Sequence, residues 1–200
     1  AVSEKGTGAF IVEVAVARTE TSTTPMVIEY DIKRGLDVDV ERTVKKVAEQ
    51  IRLLKNSAKG QTGKYKVILN PQAYSQLFTY TLMQGARGDN VARGKSMIAD
   101  KIGDTIASKI LTLVDDGLYP TSPATSIADD EGVPRQRTPI IENGVLRSFL
   151  WDTYWANKMD LKSTGNATRN MRQGLVEISP TTLVIEPGTR DIEEIIGEID

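Results

Sequence analysis

The spacing of apolar residues changes from a period of two to a helical period within the first 54 positions. Residues 9–17 and 26–32 alternate apolar side chains with others, which predicts two antiparallel strands joined by a long loop. Residues 39–54 place their apolar side chains on one helical face, and either Asp37 or Asp39 can cap the start of that helix. A chain with both periods must combine sheet and helix.

The clearest signal in the second half of the chain is Asn143-Gly144, which stands between two apolar runs and predicts a type I′ hairpin. A helix over residues 72–84 is expected to turn four large side chains inward, namely Tyr74, Leu77, Phe78 and Leu82. The other predicted elements are a buried strand at 65–69, a glycine-rich loop at 85–94, a helix at 96–108, a strand at 110–114, a turn at 115–117, a helix with inward aromatic residues at 152–159, a loop at 163–169, a strand at 181–187 and a helix at 191–199.

Taken together, these elements predict an α+β fold with mixed, mainly antiparallel sheets and a few helices. The segment 56–64 is polar and contains glycines, so it is the best candidate for a domain boundary. We therefore predict a region made of a β-hairpin and a helix at 1–58, and a second domain at 59–200.

Cysteine and histidine are both absent from the 200 residues. The chain therefore has no disulfide framework, no thiol nucleophile, no Ser-His-Asp triad and no zinc site of the usual His/Cys type. The 25 basic and 27 acidic side chains give a net charge of −2, and this balance argues against nucleic-acid binding. No apolar run reaches the roughly 18 residues of a membrane span, so we expect no membrane partner and a cytoplasmic location.

Five carboxylates form the densest acidic group of the sequence: Asp115, Asp116, Asp129, Asp130 and Glu131. Paired carboxylates can hold Ca²⁺ or Mg²⁺, or share a proton in acid–base catalysis. The alternative is that they shape Asp-Gly and Glu-Gly turns. We favour this second interpretation, because turn chemistry explains the composition without a metal.

The predicted loop at Ser163-Thr164-Gly165-Asn166 combines small hydroxyls with glycine, and Arg169 follows it closely. Such residues suit the binding of an anionic group or a peptide end. They are equally able to satisfy the hydrogen bonds of their own backbone, which is the interpretation we favour.

Five segments, taken in order, are similar to one family. They are GKYKVILNP at 63–71, residues 86–108, residues 129–159, LKSTGNATR at 161–169 and LVIEPGTRDIEEIIGEI at 183–199. The series DDEG, IENG and STGN within them is specific as a set. The chain resembles the TldD/PmbA family, once called modulators of DNA gyrase and regarded as zinc-dependent peptidases. The resemblance covers roughly 9–200 and implies a middle-to-C-terminal fragment, since members are more than twice as long.

The resemblance also locates the position of a zinc motif. Active members carry H-E-x-x-x-H on a helix, where the two histidines bind zinc and the glutamate activates water. The matching hexapeptide here is 79–84, with Thr79 and Gln84 at the histidine positions and Tyr80 at the glutamate position. None of these three is a competent zinc ligand or carboxylate base. The chain thus resembles the PmbA (TldE) kind, which lacks the metal site, and we expect no catalytic residue and no metal in it.

The implied role is that of a non-catalytic partner subunit in a peptidase. Zinc is then expected in a TldD-like partner subunit, although the partner could also be a second copy, and the substrate is a peptide. Ser163, Thr164, Gly165 and Asn166 match the family's loop near the peptide cleft and are the predicted peptide-binding residues. Two alternatives stay open: a self-sufficient peptidase that uses another metal or a homodimer, and a binding module without peptidase activity.

Overall fold

The computed structural model describes residues 3–18, 23–55 and 60–199. The chain divides into two compact units. The smaller contains Lys5–Tyr65 with Thr121–Pro123, and the larger contains Ala1–Glu4, Lys66–Pro120 and Ala124–Asp200. Part of the predicted boundary segment 56–64 lies outside the described residues, as does part of the loop between the first two strands.

In the smaller unit, an antiparallel hairpin packs against one helix. Strands β1 (Ala9–Ala15) and β2 (Val27–Lys33) pair in register, and α1 (Val40–Leu54) follows them, which confirms the elements predicted from the change of period. Asp39 caps α1, because its side chain accepts a hydrogen bond from the backbone N–H of Arg42 at 2.9 Å. Its own backbone N–H donates to the Asp31 carboxylate at 2.7 Å, which connects β2 to the start of the helix.

The larger unit contains the remaining elements. They are α2 (Pro71–Tyr80), α3 (Leu82–Ala86), α4 (Gly88–Ala92), β3 (Leu113–Asp116), β4 (Arg137–Glu142), β5 (Val145–Leu146), α5 (Thr153–Lys158), β6 (Ala167–Arg169), β7 (Val176–Ile178), β8 (Leu183–Ile185) and α6 (Ile192–Gly197). Strands β5, β4, β3 and β8 form, in that order, a four-stranded antiparallel sheet, and β6 pairs with β7 in a separate ribbon. The α+β class with mainly antiparallel sheets is confirmed.

The turn between β4 and β5 shows how a local signal was strong enough to be predicted. Asn143 and Gly144 both have positive φ, at 49° and 80°, as a type I′ turn requires. A Cβ on residue 144 would lie 2.5 Å from the carbonyl oxygen of Ala107, so glycine is needed there for space as well as for conformation.

The core of the larger unit lies between the sheet and the helices. Its largest fully buried apolar side chains are Met83, Leu113, Val114, Ile140, Ile141, Leu146, Leu150 and Ile178. The buried Trp151 joins this cluster, with its ring packed directly against Gly88. Met83, Ala86 and Gly88 are therefore buried, and Gly88 packs against Trp151 in the segment that follows β5.

Several features predicted between residues 65 and 159 are wrong. Residues 65–69 form no strand and are exposed, because an apolar run becomes a strand only where a partner strand is available. Residues 85–94 are mostly helical, in α3 and α4, and Gly88 lets this segment pack closely against Trp151. Leu77 is 48% exposed, and Met83 is buried in its place. Tyr154 is also exposed, although the helix at 152–159 was expected to turn its aromatic residues inward.

The predicted helix at 96–108 is absent for a reason that lies elsewhere in the chain. The backbone N–H groups of Gly103 and Ile106 donate to Leu146 and Gly144 at 2.9 Å each, and Asp104 accepts from Leu146 at 3.0 Å. These hydrogen bonds replace those of a helix, and the positive φ of Gly103, 89°, is incompatible with helix continuation.

Nowhere in the described ranges is a helix both long and apolar enough to span a lipid bilayer.

Candidate functional site

The hexapeptide 79–84 lies across a break between two helices. Helix α2 ends at Tyr80 and α3 begins at Leu82, with Thr81 between them at φ −117° and ψ −88°. The Gln84 side-chain nitrogen donates to the carbonyl oxygen of Thr79 at 3.1 Å. The two positions that the resemblance assigns to zinc ligands are therefore connected by a hydrogen bond and do not share one continuous helix.

This break opens onto a groove of about 610 Å³. Its lining residues are Tyr80, Thr81, Leu82, Gln84, Gly85, Asn90, Lys95, Met97 and Ile98. The groove walls are held together by side chains, since Asn90 donates to the carbonyl oxygen of Gln84 at 2.8 Å and Ser96 donates to that of Gly85 at 2.7 Å. The volume lies in the range typical of ligand pockets.

The residues at the three motif positions do not fit a zinc ion. Thr79, Tyr80 and Gln84 offer a hydroxyl, a phenol and an amide, whereas zinc sites use thiolate, imidazole and carboxylate ligands. Across the described ranges there is no cluster of three or more His, Cys, Asp or Glu residues that could hold a metal ion. Residues 79–84 therefore do not provide the ligand set of a catalytic zinc.

The loop predicted to bind peptide uses its polar atoms within the protein. Ser163 donates to the carbonyl oxygen of Trp151 at 3.1 Å, and Thr164 Oγ1 accepts from the Trp151 N–H at 2.7 Å. Thr164 also donates to Asn166 at 2.7 Å, and both Gly165 and Asn166 are buried. The side chains of loop 163–166 thus form hydrogen bonds with nearby backbone groups and fix the position of Trp151. This is the arrangement that the sequence analysis favoured.

Asn166 connects this loop to a buried carboxylate. Its amide nitrogen donates to Asp115 at 2.5 Å, and the other Asp115 oxygen accepts from the backbone N–H groups of Thr181 and Thr182 at 2.7 and 3.0 Å. Burial raises the pKa of the Asp115 carboxyl, while these hydrogen bonds and the positive charge of Arg135 oppose that increase. Asp115 is 1% exposed, so it lies in the interior and joins β3 to the segment before β8.

The acidic run 129–131 serves as a set of backbone acceptors. Asp129 accepts from the N–H groups of Glu131 and Val133 with one oxygen, and from that of Ala167 with the other, at 2.9–3.0 Å. Asp130 accepts from the N–H of Arg169, and Glu131 accepts from that of Thr153. These carboxylates therefore tie a turn to its neighbours, in agreement with the turn interpretation. Asp115 and Asp116 lie in β3, so the predicted turn begins later than expected.

A further buried carboxylate, Asp152, is the N-cap of α5 and accepts from the N–H of Trp155 at 2.7 Å. Burial raises the pKa of the Asp152 carboxyl, the hydrogen bond from Trp155 opposes this, and the negative charge of Glu131 adds to it. A raised native pKa gives stability that is complete below the unfolded-state value and is lost as the pH rises through the native value.

The raised pKa of Asp152 leads to a prediction for the Asp152→Asn variant. Asparagine also caps helices well and carries no charge, so the variant should be at least as stable as the wild type at neutral pH. Its advantage should shrink when the pH is lowered to about 4. Asp152→Ala, in contrast, should lose about 1 kcal/mol at neutral pH, because the cap is gone. Thermal unfolding of the three proteins at both pH values tests this, and an Asn variant less stable than wild type at neutral pH would contradict it.

Several residues of these sites were missed by sequence reasoning. Asn90 and Lys95 line the groove, although Asn90 lies in the segment 85–94 that the sequence predicts as a glycine-rich loop, and Lys95 directly follows that segment. Arg135 was also overlooked, although it donates to the Gly165 carbonyl oxygen at 2.8 Å and to the Thr181 hydroxyl at 2.7 Å. Nothing in the local sequence signals these contacts, because the partners lie 30 and 46 positions away.

Comparison with known proteins places this geometry in a family. Residues 62–200 match the model of the PmbA/TldA metallopeptidase C-terminal domain. The chain belongs to the PmbA/TldD metallopeptidase family. An uncharacterised protein of Methanocaldococcus jannaschii is 38% identical over 144 residues, which cover 71% of this chain and 34% of that protein. A protein named as a metalloprotease TldD homolog, from Buchnera aphidicola subsp. Schizaphis graminum, is 33% identical over 78% of this chain and 32% of its own length.

Solved structures of the PmbA/TldD family have the same fold. The crystal structure of TldE from Thermococcus kodakarensis matches with a TM-score of 0.90 and 37% identity, over 96% of this chain and 44% of that one. A structure from Thermotoga maritima, described as a modulator of a DNA gyrase, matches with a TM-score of 0.83 and 28% identity, over 96% and 43% of the two chains. The chain spans about one third of the length of the curated relatives it matches.

Proposed function

We propose that this chain is the non-catalytic subunit of a TldD/PmbA-type peptidase that acts on peptides with a zinc-bearing, TldD-like partner subunit. The observation that carries the proposal is the composition of hexapeptide 79–84. Thr79, Tyr80 and Gln84 stand where the family's motif has its two zinc ligands and its general base, and none of them can do that chemistry. The likeness to the crystal structure of TldE from Thermococcus kodakarensis supports the same assignment.

The carboxylates give no support to a self-sufficient peptidase with another metal. Asp115 and Asp129 each have both oxygens engaged by N–H donors of the protein itself. A carboxylate used in this way is a structural hydrogen-bond acceptor, and its removal would lower the stability of the fold. A subunit that binds peptide and leaves hydrolysis to its partner requires no such group.

Peptide cleavage tests the proposal. The protein should be inactive alone and active when mixed with a TldD-like subunit that carries H-E-x-x-x-H, and a zinc chelator should abolish the activity of the mixture. The matched control is the same mixture with both motif histidines of the partner subunit replaced by alanine, which should be inactive. Stoichiometric zinc and cleavage by this protein alone would overturn the proposal.

A second measurement distinguishes the proposed non-catalytic subunit from a self-sufficient peptidase. If this chain carried its own activity, the triple variant with Asp129, Asp130 and Glu131 changed to alanine would lose it. The proposal predicts that the wild type has no such activity to lose, at any concentration at which the mixture cleaves peptide.

A further inference from the structure

The groove beside the helix break carries an uncompensated positive charge. Lys95 is exposed, and within the described ranges its ammonium group forms no salt bridge. It is the one charged residue in the groove lining, which contains no carboxylate. The site therefore favours a negatively charged ligand group.

The two acidic side chains nearest to Lys95 in the sequence, Asp100 and Asp89, do not neutralise it. Asp100 pairs with Lys101 at 3.7 Å. Asp89 is buried, and its carboxylate pairs with Arg87 at 3.1 Å and with Arg93 at 3.5 Å. Two arginines thus already satisfy the charge of Asp89. The charge on Lys95 stays available to a ligand.

The rest of the lining suits an apolar neighbour of that negative group. Leu82, Met97 and Ile98 border the groove, and Met97 is 93% exposed. A methionine at an open surface adapts to ligands of different shapes, because its thioether side chain is flexible and polarisable. The amides of Gln84 and Asn90 lie at the same groove and add polar surface near the helix break.

We propose that this groove binds a peptide carboxylate, with Lys95 as the cation that recognises it and Leu82, Met97 and Ile98 in contact with an adjoining apolar side chain. The inference rests on the proposed function, because it names the peptide feature that this subunit would select. The carboxylate can come from the C-terminus of the peptide or from an acidic side chain, and the test distinguishes the two sources.

The experiment is an NMR titration of the isotopically labelled chain at low salt, where a charge at an exposed site is least screened. The probes are acetylated Ala-Leu-Ala-Leu with a free carboxylate, the same peptide as its C-terminal amide, and amidated Ala-Glu-Ala-Leu. We expect the free acid to bind about tenfold more tightly than its amide, with shifts at residues 80–98. Equal binding of the acidic amide would assign recognition to any carboxylate, and weak binding would restrict it to the C-terminus.

Two variants and a control test the role of Lys95. Lys95→Gln removes the charge and Met97→Glu places a competing carboxylate at the groove, so both should abolish the tenfold preference. Lys109→Gln, an exposed lysine outside the groove, should retain it. A wild type that binds acid and amide equally, or not at all, overturns the inference, as does a preference that survives Lys95→Gln.

The proposed function and this inference fail in different experiments. The titrations use this chain alone, so a lost carboxylate preference leaves cleavage by the mixture intact. Conversely, a mixture without activity would overturn the subunit assignment, while the preference measured on this chain would stand.

Discussion

Replacing Gly88 by alanine is expected to destabilise the larger unit by about 3 kcal/mol, because a Cβ has no room at this position. It would lie 2.1 Å from one carbon of the Trp151 ring and 2.6 Å from two others. Neither the Trp151 ring nor the backbone at residue 88 can move away easily. Trp151 is buried, and the Gly88 N–H donates to the Leu150 carbonyl oxygen at 2.8 Å. Urea unfolding followed by circular dichroism measures the loss.

Gly197→Ala is the matched control for Gly88→Ala. A Cβ at this last position of α6 would meet nothing within 4 Å, and alanine is the better helix former. The control variant should therefore be as stable as the wild type or slightly more so. A double variant with Trp151→Leu should be less destabilised than the sum of its single changes, because the smaller side chain relieves the overlap. Additive losses would contradict the steric explanation.

Replacing Asp115 by alanine should cost roughly 3 kcal/mol or more of unfolding free energy. The change leaves three donors without their acceptor, namely the N–H groups of Thr181 and Thr182 and the amide of Asn166, and each buried unsatisfied group costs about 1–3 kcal/mol. Burial raises the pKa of the Asp115 carboxyl, which means that burial disfavours its charged form. Removing this carboxyl therefore offsets part of the loss in unfolding free energy. Denaturant unfolding at neutral pH gives the difference.

Asp115→Asn and Asp100→Ala make this prediction specific. The asparagine variant should also be destabilised, since its nitrogen must face either the Asn166 amide or the two backbone N–H groups, all of which are donors. Asp100 has an exposed side chain, and within the described ranges its salt-bridge partner is Lys101 at 3.7 Å, so its replacement should change stability by less than about 1 kcal/mol. An Asp115→Ala variant as stable as the Asp100 variant would disprove the buried network.

The predicted and observed elements agree where the determining interactions are local. The hairpin of β1 and β2, helix α1 with its Asp39 cap, and the Asn143-Gly144 turn each depend on neighbours within a few positions or on simple alternation. Side-chain period and turn conformation follow from the backbone itself. These elements could therefore be predicted from the sequence alone.

The surroundings of the candidate sites could not be predicted, because the hydrogen-bond partners there are distant in the chain. Residues 163–166 have the composition of a binding loop, yet Asn166 is buried against Asp115, which is 51 positions away. The segment 96–108 has a helical pattern, yet its N–H groups pair with the β4–β5 hairpin. No local pattern shows which donor an acceptor will meet across such separations.

By itself the sequence determined the α+β class, the absence of cysteine and histidine chemistry, the family resemblance and the vacancy of the zinc motif at 79–84. Those properties depend only on which residues are present and in what order. The tertiary structure decided that Asp115 and Asp129 are internal acceptors and that Lys95 lies at an open groove. Burial and hydrogen-bond partners arise only when distant segments pack together, and they determine whether a polar side chain serves the fold or is available to a ligand.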